Sequence, residues 1–151
     1  MEFDHEKLDV YRTAIDFVAW AGELLDGPLR DCRQSAVGQL DRASTSIPLS
    51  IAEGNGKRSH KDRCRYLDTA RGSALESTAC LDTLVARGLL DQGRVRGGKL
   101  LLKRVVEMLT KLTQTLVGDL GETDQEGGGK RGGGNRPARR DQWSMRDRSF
   151  R

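Results

Sequence analysis

Aromatic residues are scarce in this chain, at 5% of 151 residues. With few β-branched residues beside them, that argues against a sheet-based fold. Only three prolines occur, so little in the sequence interrupts long helices. The three cysteines, Cys32, Cys64 and Cys80, show no CxxC spacing. An odd, scattered set excludes a disulfide framework and a cysteine zinc site. Each falls in a helical pattern, where a free cysteine is usually a small buried hydrophobe, and the set fits a reducing cytoplasm. Met1-Glu2-Phe3-Asp4-His5-Glu6 is acidic and has no apolar signal core. No apolar run approaches the roughly 18 residues a membrane span requires. Length leaves room for one domain of ordinary size.

What is present is helical periodicity. The first helix is predicted from about His5 to Asp26, with Asp4 as N-cap and Phe3 and Leu8 as a hydrophobic staple. Its stripe is Leu8, Tyr11, Ile15, Val18, Gly22 and Leu25. Trp20 lies off that stripe and is expected on a partner-facing surface. Gly27-Pro28 ends the helix. The second is predicted from about Cys32 to Asn55, opened by Asp31 and Gln34 as a capping box. Its stripe is Val37, Leu40, Ser44, Ile47 and Ile51. Pro48 within it predicts a kink, with Ser44, Thr45 and Ser46 placed to satisfy the carbonyl it frees. Ser59-His60-Lys61-Asp62 is a capping box for the third helix. Its stripe is Leu67, Ala70, Ala74, Ser77, Leu81 and Leu84, and Gly88 is the expected C′ residue. Ala70, Gly72, Ser73 and Ala74 leave space for a neighbouring helix. The fourth begins between Asp91 and Lys99, its start blurred by Gly93, Gly97 and Gly98. Its stripe of Leu101, Val105, Met108, Leu112 and Leu116 runs to about Leu120. Connections of about two to eight residues suit antiparallel neighbours. The expectation is an all-α, antiparallel up-down four-helix bundle over residues 1–120.

Residues 121–151 break the pattern. They are rich in Gly, Arg, Asp and Ser and read as a disordered basic tail. Residues 127–151 hold eight Lys/Arg (Lys130, Arg131, Arg136, Arg139, Arg140, Arg146, Arg148, Arg151) against Asp141 and Asp147, net +6. The whole chain is +4, so residues 1–126 are −2. A basic appendage suggests a polyanionic partner such as RNA or DNA, or a solubilising tail. Trp143, Met145 and Phe150 among the arginines suit stacking on bases or clamping a protein groove.

Catalytic and cofactor motifs are missing. Gly54-Asn55-Gly56-Lys57-Arg58-Ser59 lacks the first Gly and the final Ser/Thr of a phosphate-binding loop and follows a helix, so it reads as a helix end and turn. His5 and His60 belong to no HxxxH or ExxH pattern. No G-x-S-x-G elbow occurs. Glu53, His60 and Glu76 are the only candidates for an enzyme, and nothing in their spacing joins them. No enzyme activity, cofactor or metal is expected. One positive cluster remains: Lys57, Arg58, Lys61, Arg63, Arg65 and Arg71 surround the junction of the second and third helices. There a helix N-terminus also favours anions. The alternative is a solvated face balanced by Glu53, Asp62 and Asp68.

Ser46-Ile47-Pro48-Leu49-Ser50-Ile51-Ala52-Glu53-Gly54, then Arg58-Ser59, Asp62, Tyr66-Leu67, Ala70 and Gly72-Ser73-Ala74-Leu75-Glu76, resembles the four-helix bundle family of intervening-sequence proteins. These are named for coding inserts in large-subunit ribosomal RNA genes. The same fold includes the accessory variability determinant of diversity-generating retroelements. Leu8-Asp9-Val10-Tyr11 looks like the family's start, and the resemblance spans about residues 6–118. It implies a ring-like homopentamer without catalytic residues. For the retroelement branch it implies binding to a reverse transcriptase and to nucleic acid through a basic surface. Leu49-Ser50 departs from the family's usual Ala-Asn, and the Gly/Arg tail has no family counterpart. The expected function is therefore a non-enzymatic, oligomeric nucleic-acid-binding accessory protein. The alternative is a bundle whose role is purely structural or protein-binding.

Overall fold

The computed structural model describes residues 1–123, with side chains to Asp119. The tail read as disordered, with its arginines and aromatics, lies outside the described residues apart from its first three positions, which continue the fourth helix. A 3-10 turn at Asp4–Lys7 leads into α1 (Asp9–Asp26), α2 (Ser35–Asn55), α3 (His60–Ala86) and α4 (Gln92–Thr123). Among the described residues there is no strand. Each helix packs on its neighbour in sequence, α1 closes against α4, and the diagonal pairs do not meet. That cyclic order is the predicted up-down four-helix bundle.

The core is built from one face of each helix, with Phe17, Leu40, Ile47, Ile51, Leu81, Leu84, Leu102 and Leu109 fully buried. Each such side chain contributes about 1.5–3 kcal/mol on leaving water. In α3 the predicted row is the buried row: Leu67, Ala70, Ala74, Ser77, Leu81 and Leu84. In α1 it is not. The buried residues are Val10, Thr13, Ala14, Phe17, Ala21 and Leu24. Ile15 is exposed, while Leu8, Tyr11 and Leu25 pack only at the core's edge. In α4 the core takes Val95, Leu102, Val105 and Leu109, with Leu101, Met108, Leu112 and Leu116 at its margin.

Trp20 is the other correction. Its indole packs inside the chain, against Gly97 and Gly98 of α4 and 5.7 Å from the Phe17 ring. The two glycines expected to blur the start of α4 are the slot that receives it. α4 starts cleanly at Gln92, with Asp91 Oδ1 accepting from the Arg94 N–H at 2.8 Å.

The ends show which local signals form. Ser59 caps α3 as predicted, its Oγ accepting from the Asp62 N–H at 3.1 Å. Gly88 takes φ +74° after α3, a conformation that favours glycine. The Asp31–Gln34 box does not form, because α2 begins later, at Ser35, with Gln34 as N-cap. Cys32 therefore sits in the turn before α2. The staple does not form either. Phe3 is exposed and stacks on His5, whose ring meets Tyr11 edge-on at 4.8 Å. Asp4 opens the 3-10 turn and pairs with Lys7, and Leu8 precedes α1.

α2 and α3 form the most extensive pair. Small side chains allow it: Ala43, Ser50 and Gly54 on one helix, Ala70, Ser73 and Ser77 on the other, all buried. Ser73 Oγ donates to Ser46 Oγ at 2.9 Å across the join. α2 runs through the buried Pro48 as one helix. The neighbouring hydroxyls do not reach the carbonyl that Pro48 frees. Ser44 and Thr45 both donate to the Asp41 carbonyl, at 2.9 and 3.0 Å. A helical hydroxyl reaches back three or four residues, and the positions that could reach Ser44 are Ile47 and Pro48.

Candidate nucleic-acid interface

The α2–α3 junction is a tight turn. α2 ends at Asn55, the Gly56 N–H returns to the Ala52 carbonyl, and the Lys57 N–H to that of Gly54. The segment that glances at a phosphate-binding loop is thus a helix end. Gly54 lets α3 approach closely: a Cβ there would lie 2.9 Å from Tyr66 Cβ.

That approach assembles four side chains. Arg63 Nε donates to the Lys57 carbonyl at 2.7 Å and ties the turn to α3. Lys57 Nζ then sits 4.8 Å from the Tyr66 ring centroid. Arg65 Cζ approaches the same ring at 5.6 Å. Two cations around one ring are each held by its quadrupole. Arg65 also faces Asp62 at 3.9 Å, a loose and exposed pair of little energetic weight. Arg58 and Lys61 are exposed and have no ion-pair partner among the described residues. Beside them are the first N–H groups of α3, which have no partner within the helix.

Arg71 does not join this cluster. It is eight residues beyond Arg63, roughly 12 Å further along α3. Its place is four residues before Leu75 and seven before Thr78, on the row facing α4. The predicted tail residues Lys130, Arg131, Arg136, Arg139, Arg140, Arg146 and Arg148 lie outside the described residues. Tyr66 is a site residue that charge counting passes over. Its signal is weak, since an aromatic that follows two arginines, Arg63 and Arg65, on a helix reads equally as core.

Glu53 and Glu76 are kept apart. The Ser46–Ser73 bond sets the register of two antiparallel helices. Glu53 and Glu76 lie beyond it in opposite directions, separated by roughly 15 Å along the axis. Both are exposed. His60 is half-buried at the first position of α3. Among the described residues no group of three His, Cys, Asp or Glu is placed to hold a metal ion. Burial raises the Cys80 thiol pKa, and the Glu76 carboxylate adds to this against Arg42. Burial, then Asp68, raises that of Cys64. Neither is an activated thiolate. No helix among the described residues is long and apolar enough to cross a membrane.

Fold and junction together define a four-helix bundle protein with a small-residue α2–α3 seam and a cationic turn at its end. The chain belongs to the 23S rRNA-intervening sequence protein family, whose model matches residues 6–111. It is similar in fold to a crystal structure of a protein of unknown function from the S23 ribosomal protein family of Bacteroides thetaiotaomicron. That likeness has a TM-score of 0.65 at 18% identity, covering 69% of this chain and 97% of the other. No match was found among curated proteins.

Proposed function

We propose that this protein is a non-enzymatic, oligomeric nucleic-acid-binding accessory protein, working beside a reverse transcriptase in a diversity-generating retroelement. The observation that carries the nucleic-acid part is the junction. Lys57 and Arg65 are gathered on Tyr66, and Arg58 and Lys61 stand at a helix N-terminus with no ion-pair partner among the described residues. Cations contact phosphates there. The +6 segment at 127–151 extends the same chemistry. The homopentameric ring rests on the family resemblance as a whole, and the reverse-transcriptase partner on what that resemblance implies for the family's retroelement branch.

The test is fluorescence anisotropy with labelled RNA and DNA over about 50–200 mM salt. Phosphate contacts release counterions, so log K falls linearly with log salt, by roughly 0.7–0.9 per contact. Replacing Lys57, Arg58 and Lys61 with alanine shallows that slope by about two units. Deleting 127–151 shallows it further. Absence of binding by the intact protein at low salt refutes the proposal.

The second reading, a protein-binding bundle, is favoured by Leu49, Leu75 and Leu100, which are large apolar side chains left exposed. It predicts a stable oligomer and a protein partner in pull-downs, with no nucleic acid retained.

A further inference from the structure

α1 carries more apolar surface than one chain buries. Beside its core row runs a second row, Tyr11, Ile15, Val18 and Gly22, at the same spacing of three and four. Ile15 is 42% exposed, and Val18 and Gly22 are half-buried. A helix apolar on two faces is built to be covered on both. Asp16, Glu23 and Asp26 edge this row, all exposed and without ion-pair partners among the described residues. Residues 9–26 hold four acids and one base.

On different helices lies a groove of the opposite character. α3 and α4 border an open groove of about 640 Å³, with Leu75, Leu100, Leu102 and Val106 among the lining. Leu75 is 49% and Leu100 59% exposed. Arg96, Lys99 and Lys103 stand along the same groove beside one acid, Glu107. Lys99 pairs with Asp82 at 2.6 Å and Lys103 loosely with Glu107 at 3.9 Å, both exposed pairs of small energetic weight. Residues 92–111 of α4 hold six bases and one acid. The chain's own segment 127–151, net +6, is repelled by such a rim. A phosphate backbone gains nothing from the apolar lining. An apolar helix face edged by acids satisfies both, and this chain has one.

We propose that the α3/α4 groove of one copy seats the outer face of α1 of a second copy, head to tail. The inference rests on the oligomeric reading above and specifies its surfaces. The two patches differ and do not overlap. Each seated copy therefore leaves one groove and one α1 face for further copies, the arrangement that yields rings or open chains. Ile15 and Leu100 place opposed aliphatic side chains at the centre of the contact. Asp16 and Glu23 face Arg96 and Lys103 at its edge, where complementary charge sets register and encounter rate.

The experiment is light scattering on the full-length protein after size exclusion, with helicity checked by circular dichroism. Ile15→Arg meets the basic rim, and Leu100→Glu meets the acidic edge. Both positions are exposed, so both variants keep the fold. The wild type is expected as a multimer and each variant as a monomer. An equimolar mixture of the two variants is expected to re-form at least a dimer, because one intact groove and one intact α1 face remain between them. Multimers that persist in either variant overturn this interface and leave the oligomeric reading standing. A mixture that stays monomeric also overturns it. A monomeric wild type removes the oligomeric reading as well, as expected if another protein or the chain's own C-terminal segment fills the groove.

Discussion

Gly98→Ala sets two opposed effects against each other at one atom. A Cβ on Gly98 falls inside contact distance of Trp20 Cζ3 and Cη2, with Cε3 at 2.5 Å. The indole cannot simply swing away, because it stacks on Phe17 at 5.7 Å. Overpacking of this kind costs about 1–3 kcal/mol. Alanine in a helix interior is also better than glycine by about 0.8–1.0 kcal/mol. The single variant is therefore expected to lose up to about 2 kcal/mol of stability, or to be neutral where the ring gives most. In a Trp20→Ala background the clash is gone, and Gly98→Ala is expected to stabilise by about 1 kcal/mol. The coupling energy of the double-mutant cycle is thus about 1–3 kcal/mol. Urea unfolding followed by circular dichroism measures it without relying on tryptophan emission. Gly72→Ala in α3 is the control: nothing lies within 4 Å of its Cβ position, so it should stabilise by about 1 kcal/mol in both backgrounds. If Gly98→Ala stabilises equally with and without Trp20, the slot is not what holds the indole and the reasoning fails.

Gly54→Ala is expected to cost about 1–3 kcal/mol, since its Cβ would meet Tyr66 Cβ at 2.9 Å and the Arg63 carbonyl at 3.4 Å, atoms that move only with α3. An unchanged urea midpoint would contradict the close approach at the junction. Ser59→Ala removes the acceptor for the Asp62 N–H and should cost about 0.5–2 kcal/mol, with Ser59→Asp restoring most of it in thermal melts. The Cys80 thiol, raised by burial and then Glu76, should react with a thiol reagent more slowly than Cys32 at pH 8. Its protonated form is favoured by folding, so that stability is intact below the ordinary thiol value of 9.0. It is lost as pH rises through the raised folded value. Urea midpoints should fall as pH rises from 9.0 towards that folded value, less so in Cys80→Ala.

The third helix was legible in full because it has one apolar row and a self-contained start. Ser59 and Asp62 are three residues apart, and their hydrogen bond needs nothing else in the molecule. α1 offered two apolar rows side by side. Periodicity alone cannot rank Val10-Ala14-Phe17-Ala21-Leu24 above Tyr11-Ile15-Val18-Gly22, since each repeats every three or four residues. Packing decides: the row with Ala14 and Ala21 lets neighbouring helices come close around Phe17. The run Leu100-Leu101-Leu102 made the phase of α4 equally ambiguous. Gly98 was misread for a different reason. Its role is defined by Trp20, far away in sequence, and no local pattern records a side chain arriving from another helix.

The residues that carry the family resemblance mostly explain the fold. Ile47, Pro48 and Ile51 are buried, Ser46 bonds Ser73, and Gly54 makes room for Tyr66. They specify how α2 meets α3. Membership therefore predicts the bundle and leaves function to what the bundle exposes. Net charge hides that part. Residues 1–126 sum to −2, which by itself weakens an electrostatic role for the helices. The sum is near zero because opposite charges sit on different elements: an excess of three acids over residues 9–26 and of five bases over residues 92–111. Segregated charge of this kind produces fields that a near-neutral total conceals. It also separates the two proposed contacts. The junction cations around Tyr66 have no large exposed apolar side chain among them, as suits phosphate. The α4 cations flank Leu100 and Leu75, as suits a protein face.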